Sequence, residues 1–159
     1  MPFLFYPFML AAAITYTLLL LSAALFPADI RWYSSVKKPA WAPSGQLIVS
    51  ARGFMHACMA ASVALVYVKT GGFQNVGIAW IFVMILHYLW SQAYGFFLFT
   101  AKSFGLALAG SMFASLTCWW LLVLTAPLAK EAAWLLLPCL VWSCLTTFYM
   151  WIIRMMNAQ

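Results

Sequence analysis

Negative charge is almost missing from this sequence: of 159 residues only Asp29 and Glu131 are acidic, against eight Lys and Arg. With both acids at the edges of apolar runs, paired-carboxylate acid–base chemistry and a hydrolytic triad have nothing to be built from. There is no glycine-rich loop of the phosphate-cradling kind. Cys58, Cys118, Cys139 and Cys144 all lie inside apolar runs, with no C-x-x-C spacing and no His or carboxylate cluster beside them. They read as small buried hydrophobes, and no metal site is expected. The basic residues are scattered singly, which argues against a nucleic-acid partner.

What is abundant is apolar surface, 67% of the residues. Ten charges cannot cover a soluble domain of this size, so the chain is expected to be an integral membrane protein. A helix needs about 20 mostly apolar residues to cross a bilayer. Breakers and charges mark out five such spans in a single domain over residues 1–159, at 3–26, 47–68, 76–99, 104–126 and 132–154. The expected fold is an all-α bundle of five transmembrane helices; the segments lack the alternation of barrel strands and are too long for them. The first run has no basic leader and exceeds the apolar core of a signal peptide, so it is kept as a span although "SAALF" mimics a cleavage site. Arg31, Lys37, Lys38, Lys102 and Arg154 fall on one side, against Lys69 and Lys130 on the other. The positive-inside rule then makes the first loop and the C-terminus cytoplasmic. Short connections after the second, third and fourth spans imply that consecutive helices are antiparallel neighbours. Small residues along the fourth span, Gly105/Ala109, Gly110/Ala114 and Ser111/Ser115, permit close helix approach, either inside the bundle or in a dimer.

The loop over 27–46 is the long exception, and it contains "WYSSVKKPAWAPS". Two readings are open for Trp32, Tyr33 and Trp41: interfacial belt residues, or parts of a lid whose backbone is fixed by Pro39 and Pro43. Inside the spans, Arg52 and His56 share a helix face by their spacing of four. By helical rise, His56, His87 and Trp142 come to similar depths, roughly 14, 17 and 15 Å from their helix ends. Each histidine is open to two readings, an interhelical hydrogen bond or a cavity wall, and Arg52 likewise either snorkels to headgroups or lines a polar pocket. The sharper reading is a pocket under the loop for a flat, largely apolar ligand with a few acidic or carbonyl groups, Arg52 meeting the acid. Permanent haem is not expected, because there is no C-x-x-C-H and the histidines are not paired on one helix. Leu145, Tyr149 and Arg154 fit the loose pattern proposed for sterol contact, which apolar helices ending in an aromatic and an Arg often match.

These stretches resemble the TspO/MBR family, the tryptophan-rich sensory proteins of bacteria together with the mitochondrial translocator protein or peripheral-type benzodiazepine receptor. The loop is similar to W-Y-x-x-L-x-K-P-x-W-x-P-P, matching at Trp32, Tyr33, Lys38, Pro39, Trp41 and Pro43. "HYLWSQAYGFF" is similar to N-x-x-W-S/T-x-x-F-F, matching at Trp90. "LLPCLVWSCLTTFYMWI" is similar to P-Y-L-x-W-x-x-x-A-x-x-L-N, matching at Pro138, Leu140 and Trp142.

The resemblance implies a five-helix bundle, often a homodimer, embedded in membrane lipid. Its pocket under the first loop would take porphyrins, haem-related tetrapyrroles, sterols or benzodiazepine-type ligands, with Trp32, Tyr33, Pro39, Trp41, Pro43, Arg52, His56, His87, Trp90, Cys139, Trp142 and Thr146 as candidate ligand contacts. It also implies, as an alternative to sensing, scavenging or transport, a light- and oxygen-dependent breakdown of porphyrin in which Trp32 and Trp142 take part; a purely structural, lipid-interacting bundle is the third class. A bacterial cytoplasmic membrane is favoured over the mitochondrial outer membrane. Departures from the family pattern fall at Val36, Ser44, Arg52, His87, Cys139, Thr146 and Met150. Those on the helices are expected where the family's ligand sits.

Overall fold

The computed structural model describes residues 2–157, with side chains from Phe5 onward. Five long helices, α1 (Pro2–Leu25), α3 (Gly45–Lys69), α4 (Ile78–Gly95), α5 (Phe104–Thr125) and α6 (Lys130–Met156), are each long and apolar enough to cross a membrane once α4 is continued by a π-turn at Phe96–Thr100. A six-residue helix, α2 (Ile30–Ser35), lies in the first loop, and no strand occurs among the described residues. The five-span expectation therefore holds to within a few residues at each end.

The boundaries have local causes. Asp29 caps α2 by accepting from the Trp32 N–H at 3.0 Å. Ser44 caps α3 through Leu47 N–H, and Ser103 caps α5 through Leu106 N–H, each at a helix start where free N–H groups need an acceptor. Ser44 stands where the resembling family has a proline, and its hydroxyl supplies a bond that proline lacks. After α3 the chain reverses through Gly71 and Gly72 at φ 64° and 89°, the left-handed region that glycine enters without steric cost.

The helices pack side by side in the order α1, α3, α6, α5, α4, side-chain hydrogen bonds join each packed pair, and a further bond links the end helices α4 and α1. Tyr16 donates to the Gly53 carbonyl at 2.6 Å, Ser62 to the Ala132 carbonyl at 2.9 Å, and Ser115 pairs with Thr147 at 3.1 Å. Trp80 Nε1 donates to Thr125 at 2.8 Å, and Tyr88 closes the ring onto the Thr15 carbonyl at 3.1 Å. In lipid there is no hydrophobic drive between helices, so such bonds, averaging about 0.6 kcal/mol each, and close packing supply the association. Gly110, Ser111 and Ala114 are buried in α5, with the position of a Gly110 Cβ only 3.1 Å from Phe97, so the small residues here serve packing within the bundle. Large apolar side chains such as Phe54, Leu116 and Trp134 face outward, as lipid requires.

One expectation is corrected. Consecutive α3 and α4 are not close-packed neighbours: α3 lies on α1 and α6, while α4 lies on α5. They converge at the end away from the loop, where Met59, Val66, Trp80 and Val83 share a core. Toward the loop they are separated by a cavity.

Candidate ligand-binding site

The cavity has a volume of about 420 Å³ and is walled by α3, α4, the π-turn, α5 and α6 beneath the first loop. Its aromatic wall comprises Tyr33 and Trp41 from the loop, Tyr88 and Tyr94 from α4, Phe99 from the π-turn, and Trp142, Phe148 and Tyr149 from α6. The polar wall is smaller: Arg52 and His56 on α3, His87, Ser91 and Gln92 on α4, Ser111 on α5, Ser143 and Thr146 on α6. A π-turn widens a helix locally, and here it brings Leu98 and Phe99 to the cavity.

The loop is a fastened lid. Its Tyr33 hydroxyl meets the Tyr149 hydroxyl at 2.8 Å, and Trp41 stacks on Phe148 with centroids 6.1 Å apart and lies edge-on to Tyr149 at 5.8 Å. Asn157 clasps the Lys37 backbone from both sides, accepting from its N–H at 3.1 Å and donating to its carbonyl at 2.9 Å. Lys38 folds back to donate to the Tyr33 carbonyl at 2.7 Å. Lys102 pairs with Asp29 at 2.8 Å, and this bond together with the Trp32 N–H holds the Asp29 carboxyl below the usual carboxylate range. Burial, reinforced by the Tyr149 hydroxyl, pushes the Tyr33 phenol above its ordinary range.

Within the wall, hydrogen bonding fixes both imidazoles. His87 Nδ1 donates across to the Ala114 carbonyl at 3.1 Å, so this residue tethers α4 to α5 and lines the cavity at once. His56 Nδ1 donates to the Arg52 carbonyl one turn back at 2.8 Å, which leaves Nε2 as an acceptor facing Gln92 Nε2 at 3.4 Å. The Gln92 carbonyl oxygen then points at Arg52 Nη2, 3.4 Å away.

Of the residues singled out in the sequence, Tyr33, Trp41, Pro43, Arg52, His56, His87, Cys139, Trp142 and Thr146 are brought together at the cavity. Trp32, Pro39 and Trp90 are not. Trp32 stacks on Phe104 at 5.7 Å beside Lys102 while the next residue, Tyr33, turns to the cavity, because neighbouring residues on a helix point about 100° apart. Pro39 forms a turn by accepting from Ala42 N–H. Trp90 stacks on Phe113 at 4.7 Å, outside the ring. Among the departures from the family pattern, Met150 also falls outside the wall; it is fully buried and accepts from the Tyr94 hydroxyl through sulfur. The sterol pattern does not form one lipid-facing strip. Tyr149 is turned inward to Tyr33, Leu145 borders the cavity, and Arg154 is exposed. Met55, Trp142 and Leu145 also border a shallow outer groove between α3 and α6, so these side chains stand between the cavity and the lipid-facing surface.

Several wall residues were missed in the sequence, among them Tyr88, Tyr94, Phe99 and Phe148, and above all Gln92, which bonds Arg52 and His56. The signal was a polar stripe on α4, His87, Tyr88, Ser91 and Gln92, at spacings of four, which marks one helix face.

Comparison with known proteins gives concordant matches. The model of the TspO/MBR family matches residues 8–156. The chain is similar to the tryptophan-rich protein TspO of Bacillus cereus, 34% identical over 144 residues that cover 91% of this chain and 92% of that protein. It is also similar to the uncharacterized membrane protein YtaB of Bacillus subtilis, 35% identical over 144 residues with the same coverage of 91% and 92%.

Proposed function

The chain belongs to the TspO/MBR family of integral, multi-pass membrane proteins, and from that premise we propose that it is a membrane receptor for flat, largely apolar molecules of the porphyrin or sterol kind. The observation that carries this reading is the aromatic cavity closed by a fastened lid within the ring of helices. Rings presented from the loop, α4 and α6 suit a planar body, and the few polar groups suit peripheral substituents. Sensing, scavenging and transport all begin with this binding step.

Titrating protoporphyrin into the purified protein in the dark, while following tryptophan fluorescence, tests it: saturable quenching is expected, and its absence overturns the proposal. The same complex under illumination tests the enzymatic alternative. Trp142 supports that alternative by lining the cavity, whereas Trp32 stands outside it. Loss of porphyrin absorbance in light with oxygen, slowed in Trp142→Phe, would favour degradation; unchanged absorbance leaves binding alone.

A further inference from the structure

Arg52 is the one Lys or Arg in the cavity wall, about 10 Å along α3 from its start. A guanidinium carries five N–H donors, and its side chain meets a single acceptor, Gln92 Oε1, at the long distance of 3.4 Å. Among the described residues no carboxylate serves as its counter-ion. The sequence has two acids; Asp29 is held by Lys102 at 2.8 Å and Glu131 by Lys69 at 3.4 Å, both on exposed surfaces. An unneutralised cation inside a membrane span is costly unless it serves a polar site. Its orientation is also fixed: His56, held through Nδ1 on its own helix, accepts from the Gln92 amide, and this turns the Gln92 oxygen toward Arg52.

From this we infer that Arg52, aimed by Gln92, is a carboxylate-recognition site on the wall between α3 and α4, so that the cavity selects flat apolar acids over their neutral counterparts. The inference rests on the binding role proposed above and narrows its ligand class. A neutral sterol leaves Arg52 unmatched, whereas a planar molecule bearing a peripheral carboxylate places its body against Trp41, Trp142 and Phe148 and its anion on the guanidinium. Arg suits this because its planar fork matches a carboxylate with two parallel bonds.

The test compares protoporphyrin with its dimethyl ester on the full chain in phosphatidylcholine nanodiscs. The parent protein is expected to prefer the free acid by on the order of tenfold to a hundredfold, the range for hydrogen bonds to charged groups. Arg52→Gln is expected to lose the preference, binding the free acid no more tightly than the ester, with Gln92→Leu in between; saturable ester binding by each variant, at whatever affinity, doubles as the check on folding. Equal affinity of the parent for both forms overturns the inference while leaving the cavity reading intact, and so does a preference that survives Arg52→Gln. Saturable binding of neither form instead defeats the cavity reading itself. Adding phosphatidylglycerol addresses the other source of an anion. If the parent's preference for the free acid vanishes in phosphatidylglycerol while binding by Arg52→Gln is unaffected by that lipid, a lipid phosphate holds Arg52 ahead of the carboxylate and the carboxylate assignment is overturned.

Discussion

At the scale of single residues, the indoles of the loop and of α6 divide by the direction in which each side chain leaves its backbone. Trp142 lines the cavity while Trp32 stacks on Phe104. Trp142→Phe is expected to weaken porphyrin binding several-fold, the loss of part of an aromatic contact of about 0.5–1.5 kcal/mol, and Trp32→Phe to leave it unchanged. Isothermal or fluorescence titration of both variants checks this, and an equal loss in Trp32→Phe would place that ring at the ligand. Tyr33 gives a pH prediction. Its phenol is raised by burial and by Tyr149, so its contribution to lid docking is complete below the ordinary phenol value of about 10 and declines as pH rises through the higher folded value. The unfolding midpoint in mixed micelles, followed from pH 7 to 12, is expected to separate parent from Tyr33→Phe at neutral pH, with the gap beginning to narrow above about pH 10. No gap at neutral pH would mean that the hydroxyl pair contributes nothing. The sequence made part of this legible. The spacing of four that joins Arg52 to His56 is a local property of α3, and both do share the cavity wall. The depth of Trp142 was legible for the same reason, because rise per residue is fixed. The six-residue α2 is too short to declare itself by an apolar period, and so the different directions taken by Trp32 and Tyr33, adjacent in sequence, could not be assigned.

At the scale of elements, the decisive fact is that α3 and α4 part company around the cavity although the chain runs directly from one to the other. Helix positions and lengths were readable because apolar runs must match the bilayer. Ring order was not, since it depends on which faces interlock, and those faces are set by pairs such as Ser62 with Ala132 and Trp80 with Thr125 that lie 70 and 45 residues apart. The lock between α5 and the π-turn is the tightest glycine site in the bundle. A Cβ at Gly110 would stand 3.1 Å from Phe97, whereas one at Gly53 in α3 meets nothing within 4 Å. Both substitutions to alanine gain helix propensity, by roughly 0.5–1 kcal/mol. At Gly110 the overpacking cost of about 1–3 kcal/mol outweighs that gain. Gly110→Ala is therefore expected to lower the thermal midpoint in detergent and Gly53→Ala to hold or raise it. Because Phe97 is next to the cavity-lining Leu98, the first variant is also expected to disturb porphyrin affinity; a stable, fully binding Gly110→Ala would show that the ring yields freely.

For the whole molecule, five spans put the two ends of the bundle on opposite sides of the membrane, and charge decides which end faces in. The lid end gathers Arg31, Lys37, Lys38, Lys102 and Arg154, of which Lys102 is offset by Asp29. The far end has Lys69, paired with Glu131, and Lys130. Arg52 belongs to neither count, being inside the cavity wall. Basic residues in short loops are retained on the cytoplasmic side, so the lid and the C-terminal end of α6 are expected to be cytoplasmic. The clasp of Asn157 on Lys37 makes these two segments one physical unit, and they must share a side. In a bacterial host, green fluorescent protein fused after residue 159 is expected to fluoresce and alkaline phosphatase fused there to be inactive, with both outcomes exchanged for fusions before residue 1. An active C-terminal phosphatase would reverse the orientation and would mean that the cavity opens, through its lid, away from the cytoplasm. Orientation also bears on supply: with the lid inward, the lid's Lys37 faces the cytoplasm, and positive charge on that side raises the local concentration of anions such as a flat acid released there. Replacing Lys37, whose clasp on Asn157 is made by its backbone alone, with glutamine is then expected to slow association of the free-acid porphyrin at low salt and to leave its dissociation unchanged, as stopped-flow quenching would read. Equal association rates before and after the change would show that the ligand does not enter past the lid.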